Sequence, residues 1–382
     1  MNYSADEDND GRGSNRLILG FFFLTGLTGL AYELVWIRLL ILAFGSTQFA
    51  VTTVLVVFMA GLALGSLVFG RVIDRIHAPL KLYAAIEILL GVYCILSPGV
   101  FGLVRDVYVS TAGAGGAEHV RAGFEPAQFA LTFAALIVPT TLMGGTLPVL
   151  VKYLASSSGR VGFHTALPYA VNTIGAVTGS LLTGFFSLYL LGVKATIYAA
   201  GVVDIIVGIL VFAIFGRVMV SHAREEDMLY GAAHGAEEVS LVEADSSVGR
   251  GALGVVVLAT FAVSGFCSLA YEVLWTRVFS LVLGSSIYAF TIMLATFLGG
   301  IGAGSIFFAP FIDRCRRPLL WFAALEAVIG STALLTIFFY RDLPSVFFTV
   351  REATGSSFWL FNFVQFLLCA AIMIIPTLAM GA

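Results

Sequence analysis

The 382-residue chain is 59% hydrophobic and only 11% charged, with a formal net charge of −3, where soluble domains run at roughly 45–50% and 25%. That balance excludes an ordinary water-soluble globule and predicts an all-α multi-pass membrane protein whose first partner is the lipid bilayer. The basic residues are few and scattered, so no nucleic-acid partner is expected.

Residues 1–16 carry Asp6, Glu7, Asp8 and Asp10 among Gly, Asn and Ser and read as a disordered, solvated tail. No basic segment with a small-residue cleavage site precedes the next apolar run, which is therefore a retained span and not a signal peptide. A spanning helix needs about 20 mostly apolar residues. On that rule the spans are 17–43, 47–70, 80–103, 127–154, 166–190 and 195–216, then 253–282, 286–311, 319–340 and 358 to the end. The acidic, Ser- and His-containing stretch 217–252 reads as a cytoplasmic linker between a first membrane repeat, 17–216, and a second, 253–382. A further long connection runs from Arg105 to Pro126. Its Gly113, Gly115 and Gly116 resemble a phosphate loop only superficially, because no strand precedes them and no Lys-Ser/Thr follows.

The two repeats announce themselves in one segment. Leu30-Ala31-Tyr32-Glu33-Leu34-Val35-Trp36-Ile37-Arg38 recurs as Leu269-Ala270-Tyr271-Glu272-Val273-Leu274-Trp275-Thr276-Arg277, an offset of 239 residues. The same offset carries Gly45 to Gly284, Gly61 to Gly300, Gly65-Ser66 to Gly304-Ser305 and Glu87 to Glu326. A period this long marks a duplicated domain and not a solenoid. Thirteen Lys and Arg residues fall on the side of the N-terminus and five on the other, which predicts a cytoplasmic N-terminus. Six spans per repeat then give two parallel halves about an axis along the membrane normal, the relation found between facilitator halves. Pro139-Thr140 and Met143-Gly144 recur as Pro376-Thr377 and Met380-Gly381; the first repeat continues to residue 216, whereas the second stops at Ala382. The second half is expected to be truncated after about four helices, and the chain to be a fragment.

An ionisable group within a span costs about 2.5–3.5 kcal/mol even on lenient insertion scales, so the intramembrane acids stand out. Gly26, Gly29, Glu33 and Trp36 share one helical stripe, repeated by Gly265, Ser268, Glu272 and Trp275, and the small residues turn that stripe toward other helices. Tyr32 and Trp36 can flank the carboxylate. Arg38 lies about 140° around the helix from Glu33, so each needs another partner, with Glu87 and Glu326 as candidates for the arginines. Two roles stay open. Tyr32, Glu33, Trp36, Arg38, Tyr271, Glu272, Trp275 and Arg277 can form a substrate site for an organic cation, through charge pairing and cation–π contact; or the acids and arginines form fixed interhelical bridges. Asp204, in the sixth span, has no counterpart.

Gly70, Asp74 and Arg75 form a G-x-x-x-D-R pattern after the second span, and Asp313-Arg314 repeats it after the eighth with Ala309 in place of Gly. This resembles the loop motif of the major facilitator superfamily and reads as a gating or bracing element, against topology-setting charges alone. The G-x-x-x-G patterns of the second and eighth spans read as close helix packing. Cys94, Cys267, Cys315 and Cys369 read as packing thiols, and the five dispersed histidines as no ligand set, so neither a metal site nor a catalytic constellation is expected.

The paired Ala-Tyr-Glu-x-x-Trp-x-Arg segments, the Gly-rich second and eighth spans, Met143-Gly144-Gly145-Thr146-Leu147-Pro148 and Tyr169-Ala170-Val171-Asn172-Thr173-Ile174-Gly175-Ala176 resemble the membrane part of bacterial fused MFS/spermidine synthase-like proteins, from residue 17 onward. The resemblance implies an inner-membrane module followed, in the same parent chain, by a soluble domain similar to polyamine aminopropyltransferases. Such a domain transfers an aminopropyl group from decarboxylated S-adenosylmethionine to a polyamine. That chemistry requires a Rossmann-like cofactor loop and acidic residues for the amine, and neither reads within residues 1–382. Two functions follow: a transport or anchor module handling a polyamine or related small organic amine, or a membrane-anchored aminopropyltransferase whose catalytic domain lies beyond residue 382.

Overall fold

The computed structural model describes residues 3–45, 47–76, 78–114, 120–155, 161–233, 252–284, 286–312, 317–355 and 357–382. Among them the backbone is helical with no strand, and ten helices are long and apolar enough to cross a membrane, one for each span expected from the sequence. The chain is a multi-pass helical membrane protein, as lipid demands of a backbone that must satisfy its own polar groups. The helices are α1 (Tyr3–Phe44), α2 (Thr47–Val72), α3 (Pro79–Ala114), α4 (Val120–Ala155), α5 (Val161–Leu182), α6 (Leu188–Leu190), α7 (Gly192–Ala233), α8 (Ala252–Leu283), α9 (Ile287–Ile312), α10 (Pro318–Tyr340), α11 (Leu343–Thr354) and α12 (Phe358–Met380). A single π turn, Thr183–Ser187, joins α5 to α6.

Helices outrun the expected spans at several ends. α1 starts at Tyr3, within the stretch expected to be a disordered tail; α3 and α4 enter the connection expected at 105–126; α7 continues to Ala233, into the expected linker. Once an apolar core nucleates a helix, each added residue gains a hydrogen bond at little cost, so polar composition alone does not end it. The rest of the linker lies outside the described residues. The connection before the last span holds α11, which the hydrophobic pattern left as loop; Leu343 and Phe347, one turn apart, are its buried residues.

The helices meet where side chains are missing. α2 packs on α4, α3 on α7 and α1 on α5. A Cβ on Gly61 would fall on the Thr140 side chain, one on Gly91 on the Gly201 carbonyl, and one on Gly179 on the Leu27 carbonyl. Between lipid-immersed helices there is no hydrophobic driving force, so close dispersion contact of this kind holds the bundle.

The second copy repeats the contacts of the first. Gly300 abuts Thr377 as Gly61 abuts Thr140. Ser66 donates to the Gly144 carbonyl at 3.0 Å, and Ser305 to that of Gly381 at 2.8 Å. Tyr32 stacks on Trp36 with centroids 5.7 Å apart, as Tyr271 does on Trp275. Trp36 then meets Phe58, and Trp275 meets Phe297. Gly45 and Gly284 end α1 and α8 with φ of 74° and 82°, a left-handed helix terminus that glycine adopts without strain. The copies touch along α5 and α9, where Gly184 of the π turn faces Thr291 and Gly302 faces Thr173.

Gly61→Val and Gly300→Val are each expected to lower the thermal midpoint in detergent, overpacking costing about 1–3 kcal/mol. Gly70→Ala, with open space around the added methyl, leaves the midpoint unchanged, and fluorescence-detected melting distinguishes the two classes.

Candidate functional site

Every residue of α1 from Ala31 to Ile37 is buried. Glu33 is 1% exposed and Glu272 2%, and in each the Oε1 atom has no hydrogen-bond partner. The two carboxyl groups lie within electrostatic reach of each other. The duplicated motif thus brings one acid from each copy to the same interior region.

The rest of the motif does something else. Arg38 and Arg277 are exposed, and the one ion pair among the described residues is between the exposed neighbours Arg105 and Asp106. The fixed Glu–Arg bridges considered from the sequence are therefore not formed, and neither Glu87 nor Glu326 receives an arginine. The Trp36 indole N–H donates to Ser97 Oγ at 3.3 Å, and its ring is flanked by Tyr32 and Phe58. Tyr271 and Phe297 flank Trp275 in the same way. These aromatic rings are engaged in helix packing.

Tyr32 turns instead to a residue the sequence left without a partner. Its hydroxyl donates to Asp204 Oδ2 at 2.5 Å, and Thr28, one turn earlier on α1, donates to Asp204 Oδ1 at 2.6 Å. Asp204 is 1% exposed on α7. Glu87 of α3 is equally buried, but both of its oxygens lack a donor. The Tyr83 hydroxyl, one turn away, donates to Thr25 Oγ1 at 3.4 Å, and Thr25 donates to the Phe22 carbonyl at 3.1 Å. Glu326, the counterpart of Glu87, accepts a hydrogen bond from Ser264.

Asp74 and Arg75 sit in a 3-10 turn, Ile73–Arg75, at the end of α2, and both are exposed. The carbonyls of that turn are taken by Lys152 of α4, whose Nζ donates to Ile73 at 2.5 Å and Ile76 at 3.3 Å. The sequence reading treated Lys152 only as a topological charge; its position in the last turn of α4 was the available signal. Gly70 is half-buried beside open space, while Asp313 and Arg314 lie outside the described residues.

Tyr32→Phe removes one of two donors to a buried carboxylate and is expected to destabilise the protein by about 1–3 kcal/mol. Tyr271 has no hydroxyl hydrogen bond among the described residues, so Tyr271→Phe moves the thermal midpoint little; equal shifts for the two variants would contradict the Asp204 assignment. Compared with protein-family models and with curated proteins, the chain matches none.

Proposed function

We propose that the chain is a facilitator-type transport module for a small organic amine carrying more than one positive charge, a polyamine or close relative. In this reading two parallel halves sit in a bacterial inner membrane with the N-terminus cytoplasmic, and rock about the α5–α9 contact. The observation that carries it is the burial of Glu33 and Glu272, one carboxylate from each copy, each with an unpartnered oxygen. Two like charges in a low-dielectric interior repel strongly. An amine with spaced ammonium groups answers both at once.

Because the acids belong to different copies, such a ligand contacts both halves, and its differential affinity for two arrangements is what shifts the population between them. The α5–α9 contact suits rocking. Gly184 and Gly302 present no side chain there, and Thr291, facing Gly184, leaves its hydroxyl without a bond. At the expected outer end Phe185, Tyr288, Phe358 and Trp359 form an aromatic cluster with centroids 5.2 to 6.1 Å apart. Lys152, Asp74 and Arg75 lie at the expected cytoplasmic end.

Proteoliposomes containing the purified chain are expected to accumulate labelled spermidine or putrescine in a saturable manner above empty liposomes. Glu33→Gln and Glu272→Gln each reduce that uptake at least about tenfold, the equivalent of 1.4 kcal/mol. Uptake unchanged in both variants overturns the site; no uptake by the unmodified chain overturns transport and favours the anchoring role.

A further inference from the structure

The Asp204 region encloses more than a hydrogen-bonded carboxylate. A cavity of about 100 Å³ lies among the helices of the first copy, and its oxygen-bearing lining residues are Thr25, Tyr32, Glu87, Thr146, Asn172 and Asp204. That is room for a few water molecules or for an ion keeping part of its hydration shell. Glu87 is 1% exposed and faces this cavity; neither oxygen completes a hydrogen bond, and the Tyr83 hydroxyl is the donor nearest to hand. The Asp204 charge lies close enough to act on it. Two acids therefore face one partly open space, and no lysine, arginine or histidine is buried among the residues whose side chains are described.

The second copy treats the same position differently, and there the glutamate is only half-buried. Its equivalent, Glu326, is satisfied by Ser264, which stands where the first copy has Thr25. The ring beside the glutamate also differs: Tyr83 of the first copy is Phe322 in the second. Both rings make the same neighbour contact, Tyr83 with Phe22 and Phe322 with Phe261. Only the tyrosine hydroxyl reaches the Thr25 oxygen, while the Thr25 proton goes to the Phe22 carbonyl. The first copy keeps this packing and sets the Tyr83 hydroxyl beside both Thr25 and the Glu87 carboxyl.

A cavity with two acids and a few hydroxyl and amide oxygens set in an otherwise apolar lining suits a small hard cation. Among the described residues no group of three His, Cys, Asp or Glu side chains could hold a metal ion, so a divalent ion would find too few charged ligands. A monovalent ion needs fewer charges and takes neutral hydroxyl and amide oxygens readily. We propose that this cavity is a sodium site, in which Glu87 and Asp204 supply the negative charge and Thr25, Thr146 and Asn172 supply neutral oxygens. A sodium ion there ties α3 to α7 beside α1. It is separate from the Glu33–Glu272 pair, so it stands or falls independently of amine transport.

The test uses the full chain purified in detergent, with thermal midpoint and radiolabelled sodium binding measured in sodium chloride and in choline chloride of equal ionic strength. Sodium is expected to raise the midpoint saturably by several degrees, as a ligand specific to the folded state does. Glu87→Gln abolishes that rise, and Glu33→Gln leaves it in place. Equal midpoints in sodium and choline, a full sodium response in Glu87→Gln, or a stabilisation that follows acidification instead of sodium would each overturn the assignment.

Discussion

Helices immersed in lipid gain nothing by exchanging one apolar neighbour for another, so this bundle depends on how closely its backbones approach. The approach between α2 and α4 is a bare glycine set against a threonine. Gly61 faces Thr140, and the Thr140 hydroxyl returns its proton to the Leu136 carbonyl of its own helix at 2.6 Å. The threonine can therefore be buried against a neighbour that offers it nothing, because its polar atom is already satisfied. Gly300 and Thr377 do the same in the second copy, with Met373 as acceptor. α2 then fixes α1, because Phe58 lies against the Trp36 ring, and the Trp36 indole reaches across to Ser97 on α3.

Once Trp36 is held, the rotation of α1 is set and one helix serves two places. Thr28 and Tyr32, four residues apart and so on one face, both donate to Asp204 of α7. Glu33 is about 100° further round and comes within reach of Glu272. The stacked Tyr32–Trp36 pair thus lies between the acid cluster inside the first copy and the buried Glu33.

The spans and the duplication were legible in the residues, because length, apolarity and repeated spacing are properties of a single stretch or of two aligned ones. Pairings between distant elements were not. Tyr32 and Asp204 are 172 positions apart, and no periodicity links them; Asp204 stood out only as an isolated charge in an apolar run. Lys152 was counted as a charge, but its role in holding the Ile73 and Ile76 carbonyls depends on where α4 ends relative to α2. Arg38 was expected to seek an acid, since a guanidinium in lipid is costly; near the end of its helix it is exposed instead. The Tyr83–Phe322 difference could be read directly from the aligned copies. Its meaning required the three-dimensional placement of the Tyr83 hydroxyl beside Thr25 and Glu87.

The sign of the buried charge limits what this interior can accommodate. Among the described residues Glu33, Glu87, Asp204 and Glu272 are all buried, and no basic side chain is. A bundle that needed ionisable groups only to brace its helices would pair them, since an unpaired charge in a low-dielectric interior is costly and a neutral side chain of similar size would pack as well. Glu326 shows that such pairing with a hydroxyl was available to this fold. Glu33, Glu87 and Glu272 each retain at least one oxygen without a donor, and an anionic solute would meet repulsion from every one of them. Whatever completes these groups brings positive charge or protons.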